Sequence, residues 1–259
     1  MKIAVITGAS SGIGKQFALK LKEYFSVEEV WLIARNEQRL NQTASECGLP
    51  CRVFSIDLGD INAYSPYTDA LKACDADVAT LINCSGFGKF AAFCDTPIAD
   101  NLNMIDVNCK ALTAMTQLTL PYMRDGAKII NVASVAAYQP TPYINVYAAT
   151  KSYVLSFSRA LNRELKKRKI GVTAVCPFWT KTAFFDRAID KNDENVIVKK
   201  YAVLYNPEDV VKKAYKDALK GKEISIYGAY ARVQCFLTKI LPHKIVMNVW
   251  LKQQKLKNR

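Results

Sequence analysis

One histidine, His243, occurs in the 259 residues, and it stands in a basic C-terminal stretch. A Ser-His-Asp relay needs an imidazole base at its centre, so hydrolysis of that kind is disfavoured. No uninterrupted apolar run approaches the roughly 18 residues that suggest a transmembrane helix. Met1 leads within two residues into Ile3-Ala4-Val5-Ile6, which leaves no space for a charged and then apolar leader, and no secretory signal is expected. The eight cysteines are scattered, and Cys47 and Cys51, the closest pair, have no second pair or nearby histidine to complete a zinc set. No metal site is expected, and free thiols point to a reducing cytoplasm. Acids are scarce beside bases, 23 against 36, for a net charge of +13. No aromatic-basic recognition motif accompanies that charge, so nucleic acid is not expected as a partner.

Half of the residues are hydrophobic, enough for a substantial core. Short apolar runs at 2–7, 29–34, 52–56, 78–83, 127–133, 170–176 and 223–227 read as strands. Helical patterns fall between them at 12–25, 36–47, 61–74, 98–123, 147–168 and 207–220. Continuous apolar strands separated by helices predict a parallel sheet covered on both faces. The fold class is α/β, a Rossmann-type doubly wound sheet in one domain over 1–228, with a helical basic extension over 229–259.

Tyr147 and Lys151 stand four residues apart in Tyr-Ala-Ala-Thr-Lys, so a helix places them on one face. A phenol titrates near pH ~10 in water, and a neighbouring cation favours the phenolate. Taken alone, the pair usually means an ordinary solvated helix face. Directly after the first strand, Gly8-Ala9-Ser10-Ser11-Gly12-Ile13-Gly14 leads into a helix. Glycines at such a turn let the backbone approach a pyrophosphate, and the helix N-terminus supplies N–H donors.

Thr7-Gly8-x-x-x-Gly12-x-Gly14, Asn83-Cys84-Ser85-Gly86, Asn108, Ser134 and Tyr147-x-x-x-Lys151 together resemble the short-chain dehydrogenase/reductase family, in order and spacing, over residues 1 to about 182. The resemblance implies that Tyr147 is the general acid in carbonyl reduction and the base in alcohol oxidation. It implies that Lys151 lowers the phenol's pKa and holds the nicotinamide ribose, and that Ser134 hydrogen-bonds the substrate oxygen. Asn108 would anchor a water for proton relay. Asp57 and Leu58 match positions that contact adenine, although Asp57 also reads as a helix cap, and Ser134 alone also reads as a capping or turn serine. Asn83, Ser85, Gly86, Pro177 and Thr182 match further cofactor positions. Phe178 departs from the family's usual glycine, which puts the mouth of the site in question.

NAD-selective members of this fold place an acid at the tip of the second strand, but here the strand ends Ala34-Arg35-Asn36. Arg35 offers a guanidinium to a 2′-phosphate, so NADP(H) is favoured over NAD(H). A non-catalytic dinucleotide-binding protein is the rival, opposed by the retention of all four catalytic positions.

A substrate loop is expected at about 182–206, with Phe184, Phe185, Ile189, Val196, Ile197, Tyr201 and Leu204. Val135, Ala136, Tyr138, Pro140, Pro142 and Tyr143 are candidates for the opposite wall, and either set equally reads as loop packing. Such a lining suits a bulky apolar ketone or alcohol. Similarity to bacterial hydroxysteroid dehydrogenases and long-chain 3-oxoacyl reductases leads to a hydroxysteroid or bile acid, with a 3-oxoacyl thioester as the alternative. The family commonly forms dimers or tetramers through its two long helices, here 98–123 and 147–168. From Ala231 to Arg259 the chain has seven basic residues and no acid, interleaved with apolar ones, and reads as one or two amphipathic helices broken near Pro242. Packing of that tail on the domain or on another subunit is favoured over contact with a membrane surface.

Overall fold

In the computed structural model, which describes residues 1–184, 188, 197, 198 and 200–256, the apolar runs form seven strands. They are β1 Lys2–Thr7, β2 Glu29–Ala34, β3 Cys51–Ser55, β4 Asp77–Asn83, β5 Lys128–Val132, β6 Gly171–Val175 and β7 Ile224–Ser225. All pair in parallel, in the order β3-β2-β1-β4-β5-β6-β7. The described helices are α1 Gly12–Lys20, α2 Glu37–Cys47, α3 Ser65–Ala73, α4 Ile98–Ile105, α5 Ala111–Thr119, α6 Asn145–Glu164, α7 Pro207–Leu219, α8 Ala229–Ile240 and α9 His243–Gln253.

The central strands are buried on both faces because helices cover both. Trp31, Tyr67, Leu71, Met115 and Ile129 pack on one side of the sheet. Phe17, Leu40, Ile82, Val211 and Tyr215 pack on the other. Strand order reverses between β1 and β4, and at that point the strand ends diverge into a crevice. The Thr7 hydroxyl accepts hydrogen bonds from the Cys84 and Ser85 amides at 3.0 and 3.1 Å, tying the two strand ends together.

The expected helix over 98–123 is interrupted. A π-helical turn, Asp106–Lys110, separates α4 from α5, and the run ends in a 3-10 turn at Leu120–Tyr122, where Pro121 removes a backbone donor. A π turn admits one extra residue without ending the helix, so the apolar pattern continues across it. The last strand is shorter than expected, two residues, because the chain turns at Gly228 (φ +91°) into α8. α8 and α9 flank Pro242 as anticipated. Of the tail's bases, Lys257 and Arg259 lie outside the described residues, as do Phe185, Ile189 and Val196 of the expected substrate loop.

Candidate active site

A cleft of about 1600 Å³ opens at the strand ends, and Gly8, Ser10, Ser11, Gly12, Ile13 and Gly14 line one end of it. Gly8 takes φ +69°, the left-handed region in which glycine carries no Cβ penalty. A Cβ on Gly14 would stand 2.2 Å from the Gly8 carbonyl oxygen, so the turn closes only around glycine. Ser11 precedes α1 in extended backbone and makes no side-chain cap, which leaves first-turn N–H groups available to an anion. By contrast, α2 is capped: Asn36 Oδ1 accepts from the Arg39 amide at 2.8 Å. Arg35 lines the cleft beside Asn36 and Arg39, and its Nη1 lies 3.9 Å from Asp57 Oδ2, both side chains about half exposed. Asp57 does not cap a helix. Its carboxylate accepts from the Gly59 amide at 3.0 Å, and Asp60 does the capping instead. Leu58, Ser85, Gly86, Pro177 and Thr182 also border the cleft.

In the middle of the cleft, the start of α6 presents Tyr147 and Lys151, both buried. The Ser134 hydroxyl, at the end of β5, stands beside the Tyr147 phenol and favours its ionised form. Its oxygen accepts from the Ala136 amide at 3.1 Å, so the serine is a local cap as well as a neighbour of the phenol. Lys151 Nζ donates to the Val132 carbonyl at 2.9 Å and sits 5.7 Å from the Tyr147 ring centroid. Burial pushes the Tyr147 phenol up to about 12, against the opposing effect of Ser134. Burial brings Lys151 down to about 8. The expected depression of the phenol by its lysine is not seen in the protein alone: desolvation raises the phenol, and the group that opposes the rise is Ser134.

Asn108 and Asn83 stand behind the cleft wall. Within the π turn, Asn108 accepts from the Phe87 amide at 3.0 Å and donates to the Phe87 carbonyl at 2.9 Å and to the Thr150 hydroxyl at 3.0 Å. It braces the segment after β4 against α6. Asn83 donates to Thr116 Oγ1 at 3.0 Å and Asn131 Oδ1 at 2.9 Å, joining β4 to α5 and β5 within the core. A Cβ on Gly86 would meet Asn108 Oδ1 at 2.9 Å and Lys151 Nζ at 3.2 Å, so glycine keeps this wall close.

Beyond Tyr147 the cleft becomes aromatic. Phe90 and Phe184 pack on the Tyr147 ring at centroid distances of 5.8 and 5.6 Å, and Trp179 continues the wall toward Tyr201 and Trp250. Val135 and Ala136 line the opposite side, as expected. Tyr138, Pro140, Pro142 and Tyr143 do not, and Gln139, Thr141 and Ile144 stand there instead. Of the loop residues, Phe184 and Tyr201 face the cleft, whereas Ile197 packs in the adjoining apolar cluster and Leu204 is exposed. The tail closes this end. Trp250 Nε1 donates to the Pro142 carbonyl at 3.1 Å. The buried Gln254 amide accepts from Lys200 N and donates to Lys200 O, both at 3.1 Å.

The family model described as short chain dehydrogenase matches residues 2–193. The chain belongs to that family. Its members are oxidoreductases acting on CH–OH and keto groups, and this chain is one. An uncharacterised oxidoreductase of Staphylococcus epidermidis is 36% identical over 181 residues, covering 68% of this chain and 76% of the relative. The very-long-chain 3-oxoacyl-CoA reductase-B of Danio rerio is 33% identical over 192 residues, 70% of this chain, but the match spans only 60% of that protein. Among solved structures, a short-chain dehydrogenase from Sphingobium yanoikuyae in complex with NADPH superposes with TM-score 0.76 at 25% identity, over 96% of each chain. A 7β-hydroxysteroid dehydrogenase shares the fold with TM-score 0.80 at 20% identity, again over 96% of both.

Arg39, Phe90, Trp179, Tyr230, Trp250 and Lys252 also line the cleft of this dehydrogenase and were not anticipated from the sequence. Arg39 carried a usable signal, because the third residue after an Asn cap returns to the strand tip. The tail residues carried none, since their approach to the cleft is a long-range contact.

Proposed function

We propose that this oxidoreductase uses NADP(H) to interconvert a ketone and a secondary alcohol on a bulky apolar substrate, a long-chain 3-oxoacyl thioester fitting best. The observation that carries the reaction is the convergence of the Ser134 hydroxyl, the Tyr147 phenol and the Lys151 ammonium in one buried spot. The tight glycine turn, the uncapped N-terminus of α1 and the cradle at Gly86 fit a dinucleotide. A bound nicotinamide would supply or accept the hydride. Arg35 and Arg39 would hold a 2′-phosphate, and Lys151 the ribose hydroxyls. With its pKa raised to about 12, Tyr147 carries its proton at neutrality and is set to donate it to a carbonyl oxygen. Ser134 would share the developing negative charge on that oxygen. Lys151, near 8, would lend positive charge and help return a proton to the phenol.

The aromatic width beyond Tyr147 supports a large apolar substrate. The 33% identity to a very-long-chain 3-oxoacyl-CoA reductase supports the thioester. A hydroxysteroid or bile acid is the second reading, favoured by the same wide lining and by Lys200, Lys252 and Lys255 at the far end of the cleft, which suit a carboxylate. Oligomers built on α4 and α6 are proposed from the family habit and from exposed Ile98, Leu102, Ile105 and Tyr153 on those helices.

The test is a panel of long-chain 3-oxoacyl thioesters, steroid ketones and bile acids, assayed with NADPH and NADH. Thioester reduction by NADPH, lowered roughly a hundredfold to ten-thousandfold in Tyr147→Phe, supports the reading. Turnover of steroids alone selects the second reading, and a Tyr147→Phe enzyme as fast as the native one rejects the mechanism.

A further inference from the structure

We infer that α8 and α9 form a docking face for an anionic lipid surface, beside the mouth of the cleft. Both helices are two-sided. Ala231, Cys235 and Thr238 of α8, with Val246 and Trp250 of α9, are buried against the rest of the chain. Their opposite sides leave Val233, Phe236, Leu237, Ile240, Ile245 and Val249 in solvent, with Phe236 62% and Ile240 60% exposed. Six large apolar side chains on two adjoining helices exceed the scattered exposure ordinary for a soluble surface.

Charge identifies the occupant. From residue 224 to residue 259 there is no Asp or Glu, while Arg232, Lys239, Lys244 and Lys252 are exposed along the two helices. A basic amphipathic helix with an apolar face lies in the interfacial region of an anionic bilayer, its cations at the headgroups. A second copy docking through the same face would set like charge against like, because a two-fold contact is self-complementary. The exposed apolar stripe on α4, by comparison, is accompanied by Asp100, Asp106 and Lys110, so charges of both signs are available there for chain-to-chain contact. No described helix is long and apolar enough to cross a membrane, so the docking is peripheral.

The position of the face adds a use for it. Tyr230 and Gln234 of α8, and Val249 and Trp250 of α9, border the cleft. An apolar substrate partitioned in the lipid would enter the cleft without crossing bulk water.

Flotation of the 259-residue chain with phosphatidylcholine vesicles, with and without phosphatidylserine, tests this independently of the substrate. The expected result is co-flotation with the phosphatidylserine vesicles, weakened by added salt. Phe236→Glu with Ile240→Glu should reduce it at least tenfold, and Arg232→Gln or Lys244→Gln about fivefold for each charge removed. Neither Phe236 nor Ile240 lines the cleft, so the double variant should keep the native melting temperature and cofactor affinity. Absence of flotation at low salt, or flotation undiminished in the folded double variant, overturns the proposal. So does a sedimentation experiment in which the double variant dissociates an oligomer, since that assigns the face to a second copy.

Discussion

Lys151 Nζ lies 5.7 Å from the centroid of the Tyr147 ring and is held there by the Val132 carbonyl, 2.9 Å away. The lysine thus faces the ring's π cloud with its proton directed at backbone. Burial lowers it from 10.5 to about 8, so its charge is present below that pH and lost above it. Affinity for the anionic cofactor should be greatest below pH 8 and fall as Lys151 deprotonates, with proton uptake on binding near that pH. Calorimetric titration in buffers of different ionisation enthalpy measures both. Lys151→Arg, whose guanidinium stays charged, should abolish the limb, and a limb that survives in that variant assigns it to another group.

Arg35 meets Asp57 only at 3.9 Å and is half exposed, which leaves its guanidinium available to a phosphate. Arg35→Ala should weaken NADPH binding roughly 10- to 150-fold, the range of a charge-assisted hydrogen bond worth about 1.5–3 kcal/mol. NADH binding should change far less. Fluorescence titration of both cofactors makes the comparison, and equal losses reject the preference for NADP(H).

Asn108 supplies both bonds to the Phe87 peptide groups from a buried position. In Asn108→Ala, both backbone groups lose that partner, at about 1–3 kcal/mol each where no water replaces it. A loss on the order of 3 kcal/mol in urea unfolding is expected. Thr150→Val, which removes one side-chain bond to Asn108, should cost about 1 kcal/mol. A stability loss in Asn108→Ala no greater than in Thr150→Val would remove the bracing role.

Phe178 is buried against Trp179, Tyr205 and Tyr230, at centroid distances of 6.0, 6.3 and 5.4 Å. The aromatic residue therefore fills a packed corner where the family commonly has glycine. Phe178→Ala should destabilise the protein by about 3–5 kcal/mol in thermal or denaturant unfolding. A neutral effect would mean the corner collapses without penalty.

The sheet was legible because its strands are apolar end to end, as in Ile3-Ala4-Val5-Ile6, and the helices between them carry ordinary periodicity. Tyr147 and Lys151 were legible as a pair because the spacing of one helix brings them together, whereas Ser134 was legible only through the family resemblance. The π turn at Asn108 was not, since one added residue preserves the apolar pattern on either side. Nor was the direction of the Tyr147 shift: a pair spacing conveys the neighbouring charge but not how deeply Phe90 and Phe184 bury the ring. Trp250 and Gln254 reach the cleft from a tail whose local sequence shows only amphipathic helices, because their partners, Pro142 and Lys200, are far away along the chain.

The two-way pairing of Gln254 with the main chain of Lys200 makes the far terminus a clasp on the substrate side of the enzyme. A shortened chain lacking residue 254 would lose that clasp and loosen the aromatic end of the cleft.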